Sequence, residues 1–405
     1  VEYIRARGDN AYMWDTGFHF GDWVALDAKE GSYVGATPLP LVATAYYAYS
    51  TRLLRDAARV LGREEDAAAY GELHERVVQA FRDEFITKNG RMASPTQTAH
   101  VLALAFDLAG DAAPRIARDL NDLIIENEYH LTTGFLGTPY LCHVLSEHGY
   151  HETAVRLLLQ DGYPGWLYSI SKGATTIWEH WDGIKPDGTF WSDDMNSFNH
   201  YAYGAVGEWM YRKVAGLDLD DAAPGFRKIR IEPLFGAGLL SRARASHLSM
   251  YGRIESEWSI EGSRVEVRVA IPANTTAKVV LRGATLDGLR IDDQPAGPDG
   301  AHPAGVRSAG AADGAVVVEI GSGEYRFAYE AENLYRKRFT VSTRLLELLI
   351  DERTERVVRR HMPHLFESAS LNFLKTSTLK ELVDNGMSRV TREMVDRLLE
   401  ELAEA

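Results

Sequence analysis

The spacing of apolar residues changes twice along this chain, and that constrains the fold more than any other feature. From residue 1 to about 217 the spacing is helical. Over 65–85, Leu73, Val77, Phe81 and Phe85 stand four apart, with Glu72, Glu75, Arg76 and Arg82 off the stripe. Similar patterns predict helices at 41–61, 96–109, 112–126, 137–149, 151–160 and 196–214. Turn-forming stretches lie between them: Gly35-Ala-Thr-Pro38, Lys88-Asn-Gly90, Gly162-Tyr-Pro-Gly165 and Lys185-Pro-Asp-Gly188. Such helices read as stacked hairpins, either closed into an α/α toroid or left as an open solenoid.

Near Leu217 the period falls to two. Lys228-Ile-Arg-Ile-Glu232 and Arg264-Val-Glu-Val-Arg-Val-Ala-Ile271 alternate apolar and polar residues, and 255–260, 277–281, 315–320 and 325–328 continue the pattern. Short strands with Gly-rich turns predict an antiparallel β-sandwich. The stretch 286–314, rich in Gly, Ala, Asp and Pro, reads as long surface loops. From about 332 the helical period returns, with Leu345, Leu349 and Val357, then Leu379, Leu382 and Val383, separated by Pro363 and Gly386. The expectation is a mainly α protein with a β domain: a helical domain over 1–217, a sandwich over 218–331, and a helical tail over 332–405. The tail carries no set of residues suited to catalysis and reads as an interaction or packing module.

Charge and cysteine content limit the function. With 44 Lys+Arg against 58 Asp+Glu, the net formal charge is -14. No basic patch is available to release counterions, so nucleic acid and anionic membrane are excluded as partners. No run approaches the roughly 18 consecutive apolar residues of a membrane helix. Cys142 is the only cysteine, which rules out internal disulfides and cysteine-based zinc sites and suits a cytoplasmic protein. No motif calls for a cofactor or a metal. The chain opens at Val1 and its first methionine, Met13, lies inside an aromatic run. We therefore expect it to begin inside a longer protein, which leaves export open. The oligomeric state is open too, a homo-oligomer included.

Three clusters have residues that can carry chemistry. Ala174-Thr-Thr-Ile-Trp-Glu-His-Trp-Asp182 sets one carboxylate, Glu179, between the indoles of Trp178 and Trp181. Desolvation by flanking aromatics raises a carboxyl pKa, and the C–H face of a sugar stacks on such rings. The plain alternative is a surface glutamate on a helix whose tryptophans turn inward. Trp14-Asp-Thr-Gly-Phe-His-Phe-Gly-Asp-Trp23 combines Asp15, Asp22 and His19 with four aromatics, and its glycines suggest a loop. Taken alone, a loop packed on the barrel end with Asp22 capping a helix is the favoured explanation. Trp191-Ser-Asp-Asp-Met-Asn-Ser-Phe-Asn-His-Tyr201 places His200 within reach of Glu179 through an intervening turn-rich loop, though a histidine at a helix start is more often structural. Weaker signals fall away. Gly134-Phe-Leu-Gly137 lacks the Lys-Ser/Thr of a phosphate loop, His361 and His364 sit in a basic stretch of the tail that makes a poor metal site, and no nucleophile elbow occurs.

In order along the chain, Thr16-Gly-Phe-His-Phe-Gly-Asp-Trp23, Thr133-Gly-Phe-Leu-Gly-Thr-Pro139, Thr175-Thr-Ile-Trp-Glu-His-Trp181 and Asn196-Ser-Phe-Asn-His-Tyr201 resemble the bacterial α-L-rhamnosidases of glycoside hydrolase family 78. Pro224-Gly-Phe-Arg-Lys-Ile-Arg-Ile-Glu-Pro233 resembles that family's entry into its C-terminal β-domain. The resemblance covers about 1–330. It implies an (α/α)6 barrel followed by a β-sandwich, and inverting removal of terminal α-L-rhamnose from a rhamnosylated small molecule or oligosaccharide. Glu179 matches the family's general base. Trp23 and His200 match residues lining the rhamnose pocket, and Asp22 and Trp181 lie in matching motifs. The family's acidic Asp-Glu-Arg-x-Gly-Trp segment, which holds the general acid, does not occur here. A twelve-helix barrel also exceeds the eight or so helices that 217 residues accommodate. The expectation is a barrel incomplete at its N-terminus, with the acid outside this chain. Inverting hydrolysis needs two carboxyl groups roughly 6.5–9.5 Å apart, which leaves this chain's own activity open. Two other readings stand beside it: another (α/α)6 sugar enzyme, such as an inverting disaccharide phosphorylase with a phosphate site near Lys172, His180 or Lys185, and a non-catalytic carbohydrate-binding protein.

Overall fold

A computed structural model of the protein describes residues 1–8, 10–193, 195–296, 302–331, 339–367, 371–386 and 388–404. The chain forms two compact units, Val1–Asn121 with Leu131–Tyr335 and Asp122–His130 with Arg336–Ala405.

Helical hairpins open the first unit. Leu39–Val60 and Glu64–Phe85 are joined by a tight turn and pack against each other. Their apolar stripes are buried, with Leu41, Ala45, Tyr47 and Ala48 on one helix and Leu73, Val77 and Phe81 on the other. Gln97–Ala105 follows, capped by Thr96, whose Oγ1 accepts the Ala99 N–H at 3.3 Å. Residues 97–104 are all buried, which makes this the central helix, and it packs on Thr138–Glu147. Ala113–Glu126 and His151–Leu158 complete the run, the latter forming a hairpin with Thr138–Glu147.

The expected helix over 196–214 is much shorter than its pattern suggests. Only Ala202–Val214 winds, through successive 3-10, α and π turns. Residues 196–201 stay out of the helix because their backbone groups bond elsewhere: Ser197 O accepts from Glu179 N–H at 2.8 Å, and His200 N–H donates to Ile177 O at 2.9 Å. A short helix at Trp166–Ser171 has no counterpart in the sequence reading.

Eleven strands are described in the sandwich: β1 Leu217–Leu219, β2 Lys228–Ile231, β3 Arg242–Ser249, β4 Gly252–Glu261, β5 Arg264–Ile271, β6 Thr276–Arg282, β7 Arg290–Ile291, β8 Gln294–Pro295, β9 Val306–Ala312, β10 Ala315–Ile320 and β11 Gly323–Glu330. One sheet runs β1-β2-β6-β10-β9 and the other β3-β4-β5-β11-β7-β8. Every pairing is antiparallel except that of β2 with β6. The alternating strands deliver Ile229, Ile231, Val265, Val267, Val279, Val316 and Phe327 to one core around Trp258. Trp258 Nε1 donates to Val214 O at 2.7 Å. The stretch 286–314 is not wholly loop, since β7, β8 and β9 lie in it (297–301 are outside the described residues). Strand β9 is an edge strand with mostly exposed side chains, so it has no apolar alternation to announce it.

The second unit has its own core, centred on Leu345, Leu348, Val358, Leu379, Leu382, Val395 and Leu398. Residues 344 and 378 form an antiparallel bridge flanked by reciprocal bonds. Leu345 N–H donates to Ser377 O at 3.0 Å and Leu379 N–H to Thr343 O at 2.9 Å; Leu346 N–H donates to Lys375 O and Lys380 N–H to Val341 O. Moving along the sequence by the interval from Leu345 to Leu379 turns each bond into its mate. Thr354 Oγ1–H to Leu348 O and Ser388 Oγ–H to Leu382 O match in the same way, as do the helix-starting Glu347 and Glu381, which accept from Arg344 N–H and Thr378 N–H. The tail is thus two copies of one small motif facing each other across a local two-fold.

Candidate active site

The site is assembled by loops at the ends of the first unit's helices. Asp22 and Trp23 start from the glycine-containing loop expected of residues 14–23. The Asp22 carboxylate is 0% exposed and accepts four hydrogen bonds: from Thr98 Oγ1 at 2.5 Å, Gly134 N–H at 2.8 Å, Leu136 N–H at 2.8 Å and Gly137 N–H at 3.3 Å. Burial raises its pKa, and these bonds oppose the rise. Both Asp22 oxygens are thus engaged within the protein, whereas the sequence reading places this residue among those lining a sugar pocket. The turn it holds admits no side chain at Gly134, where a Cβ would stand 2.2 Å from Trp23 O. Trp23 itself is half-buried, 5.2 Å from the ring of Phe20 and 5.2 Å from that of Tyr33.

Glu179 lies on a loop, not a helix, and is half-buried. That loop pairs with 197–200 through Glu179 N–H to Ser197 O, His200 N–H to Ile177 O, and Thr176 Oγ1–H to Phe198 O at 2.5 Å. The Ser197 N–H then donates to Glu179 Oε2 at 3.0 Å, which fixes the carboxylate from one side. The two flanking indoles do turn inward. Trp178 meets Phe198 edge-on at 5.1 Å. Trp181, 4% exposed, stacks on Tyr203 at 4.0 Å and meets Trp166 edge-on. One face of the Trp181 indole is therefore covered by Tyr203.

His180 points the other way along the same loop. Its ring stacks on Trp191 at 3.6 Å, and Trp191 lies 5.6 Å from Tyr33. A run of rings thus leads from Trp23 through Tyr33 and Trp191 to His180, the neighbour of Glu179. Burial pulls the His180 pKa down to about 4, so the imidazole is neutral near pH 7. His200 is half-buried and stacks on Phe135 at 4.6 Å. Among the described residues, no group of three or more His, Cys, Asp or Glu is placed to hold a metal ion, and no helix is long and apolar enough to cross a membrane.

Of the residues singled out in the sequence, Glu179, Trp23 and His200 are only partly buried, while Asp22 and Trp181 are enclosed. Asp15 is exposed on its loop. Tyr33 and Tyr203 fall outside the three clusters, Tyr33 ten residues past Trp23 and Tyr203 two residues past the end of the His200 cluster, in the stretch read as helix.

Hairpin helices, a sandwich and a loop-borne carboxylate beside aromatic rings define a glycosidase-like architecture, and the comparisons fit it. Residues 1–214 match the bacterial alpha-L-rhamnosidase six-hairpin glycosidase domain, and residues 216–293 match the bacterial alpha-L-rhamnosidase C-terminal domain. The chain belongs to the bacterial α-L-rhamnosidase family. An alpha-L-rhamnosidase of Streptomyces avermitilis is 40% identical over 328 residues, covering 81% of this chain and 29% of that protein. One from Formosa agariphila is 40% identical over 278 residues, 68% of this chain and 30% of its own length. The crystal structure of the Streptomyces avermitilis enzyme complexed with L-rhamnose superposes with a TM-score of 0.71 at 38% identity, covering 81% of this chain and 30% of that one. The native enzyme from Aspergillus terreus gives 0.69 at 33% identity, covering 80% of this chain and 34% of that one. This chain therefore spans about 30% of the length of these relatives.

Proposed function

We propose that this chain carries the base-bearing part of an α-L-rhamnosidase centre, in a protein that removes terminal α-L-rhamnose from rhamnosides with inversion. The observation that carries the reading is Glu179, a half-buried carboxylate held through Oε2 by the Ser197 N–H beside a run of aromatic rings. In this reading Glu179 takes a proton from water as that water attacks the anomeric carbon. The bond to the aglycone oxygen breaks on the opposite face, and a general acid outside this chain protonates that oxygen. Trp23 and His200 line the sugar pocket. The single cysteine supports a cytoplasmic setting, which fractionation of the source cells tests.

Replacing Glu179 with Gln in the protein as its gene encodes it tests the assignment. Hydrolysis of aryl α-L-rhamnosides should fall by about 10²–10⁴-fold, for good and poor leaving groups alike. A base is needed for both, whereas loss of the acid would spare the good ones. Proton NMR of the first-formed sugar should show β-L-rhamnose. Near-normal turnover by E179Q, or the α-anomer appearing first, rejects the proposal.

A further inference from the structure

Residues 22 and 23 together capture four consecutive main-chain donors. Gly134 N–H goes to Asp22 Oδ2, Phe135 N–H to Trp23 O, and Leu136 N–H and Gly137 N–H to Asp22 Oδ1. The remaining Asp22 partner is the Thr98 hydroxyl on the central helix. The turn carries Phe135, whose ring lies 4.6 Å from His200 at 22° and 5.4 Å from Tyr203 nearly edge-on. Tyr203 in turn stacks on Trp181 and donates to Val24 O at 3.3 Å. The path from Asp22 to His200 is therefore short, continuous and made of direct contacts.

We infer that Asp22 is a positioning residue, whose carboxylate sets the Gly134–Gly137 turn so that Phe135 backs His200 at the pocket wall. The inference rests on the reading of His200 as a pocket residue. It divides the Asp-Trp pair into two jobs: the tryptophan faces the pocket, and the aspartate, unable to reach a ligand, fixes the opposite wall. An aspartate in a purely scaffolding role would stabilise the fold without acting through any one site residue.

A double-mutant cycle separates these cases. Asp22→Asn keeps the shape but turns one acceptor into a donor facing main-chain N–H groups, and Thr98→Val removes a single partner as a milder variant. L-Rhamnose binding to the protein as its gene encodes it is measured by calorimetry, with and without His200→Ala. We expect D22N to weaken binding by about tenfold in the wild-type background and by less than about twofold beside H200A, with T98V in between. Equal losses in both backgrounds overturn the inference. The second readout needs no ligand: the His200 ring protons should lose the ring-current shift imposed by Phe135 in D22N, as they do in Phe135→Leu. Unchanged His200 resonances in a folded D22N protein also overturn it. Should the wild-type chain fail to bind L-rhamnose, the pocket reading fails, and the resonance measurement alone decides the role of Asp22.

Discussion

Asp22 and Trp23 are adjacent in sequence and opposite in environment, one sealed and one half-open. The distinction makes a prediction at the residue scale. Trp23→Ala should weaken L-rhamnose binding by about tenfold, the usual cost of truncating an aromatic anchor, while leaving the thermal midpoint within a few degrees. Titration calorimetry beside a melting curve checks it, and an unchanged affinity would remove Trp23 from the pocket. Glu179, Trp23 and His200 were legible as candidates because their types and order carry a resemblance. Which way a side chain turns was not legible. The indole of Trp181 and the carboxylate of Asp22 sit in the same motifs as exposed neighbours, and only the packing of Tyr203 and of the Gly134 turn shows that both face inward.

At the scale of elements, helix positions followed apolar spacing wherever a helix packs on one face, as in Leu39–Val60 and Glu64–Phe85. The pattern misled where apolar spacing ran on into weak helix formers. Residues 196–201 are Asn, Ser, Phe, Asn, His and Tyr, and they bond to 176–179 instead of joining the helix. Edge strands β3 and β9 were invisible for a different reason, since strands with little buried alternation resemble loops. The junction between helices and sandwich carries a further prediction. His151 bonds Ser146 Oγ at 2.9 Å and Leu234 O at 3.0 Å, and burial depresses its pKa to about 4, like that of His180. His74, His100 and His143 shift the same way. Below pH 6.5 the unfolded chain takes up protons that these folded sites refuse, so stability is full above 6.5 and is lost as pH falls towards 4. For His151 the loss is about 3 kcal/mol. Urea midpoints at pH 7 and pH 5 measure it, and equal midpoints contradict burial of neutral imidazoles.

For the molecule as a whole, the sandwich and the second unit have hydrophobic cores of different origin. The sandwich core gathers residues from strands far apart in sequence, whereas the core of the second unit is made chiefly by one short motif used twice. Leu348 and Leu382 occupy matching, fully buried places in the two copies. Leu348→Ala and Leu382→Ala should each cost about 2–5 kcal/mol and agree within about 1 kcal/mol, as read from urea melts of the tail's transition. A large disparity would mean that the copies are alike in backbone only. Where such an arrangement is made by two separate molecules, every substitution strikes both sides of the contact at once. Carried on a single polypeptide, the two sides can change one at a time. The arginine-rich helix Glu352–His361 and its acidic counterpart Arg392–Glu404 show how far that freedom has been taken.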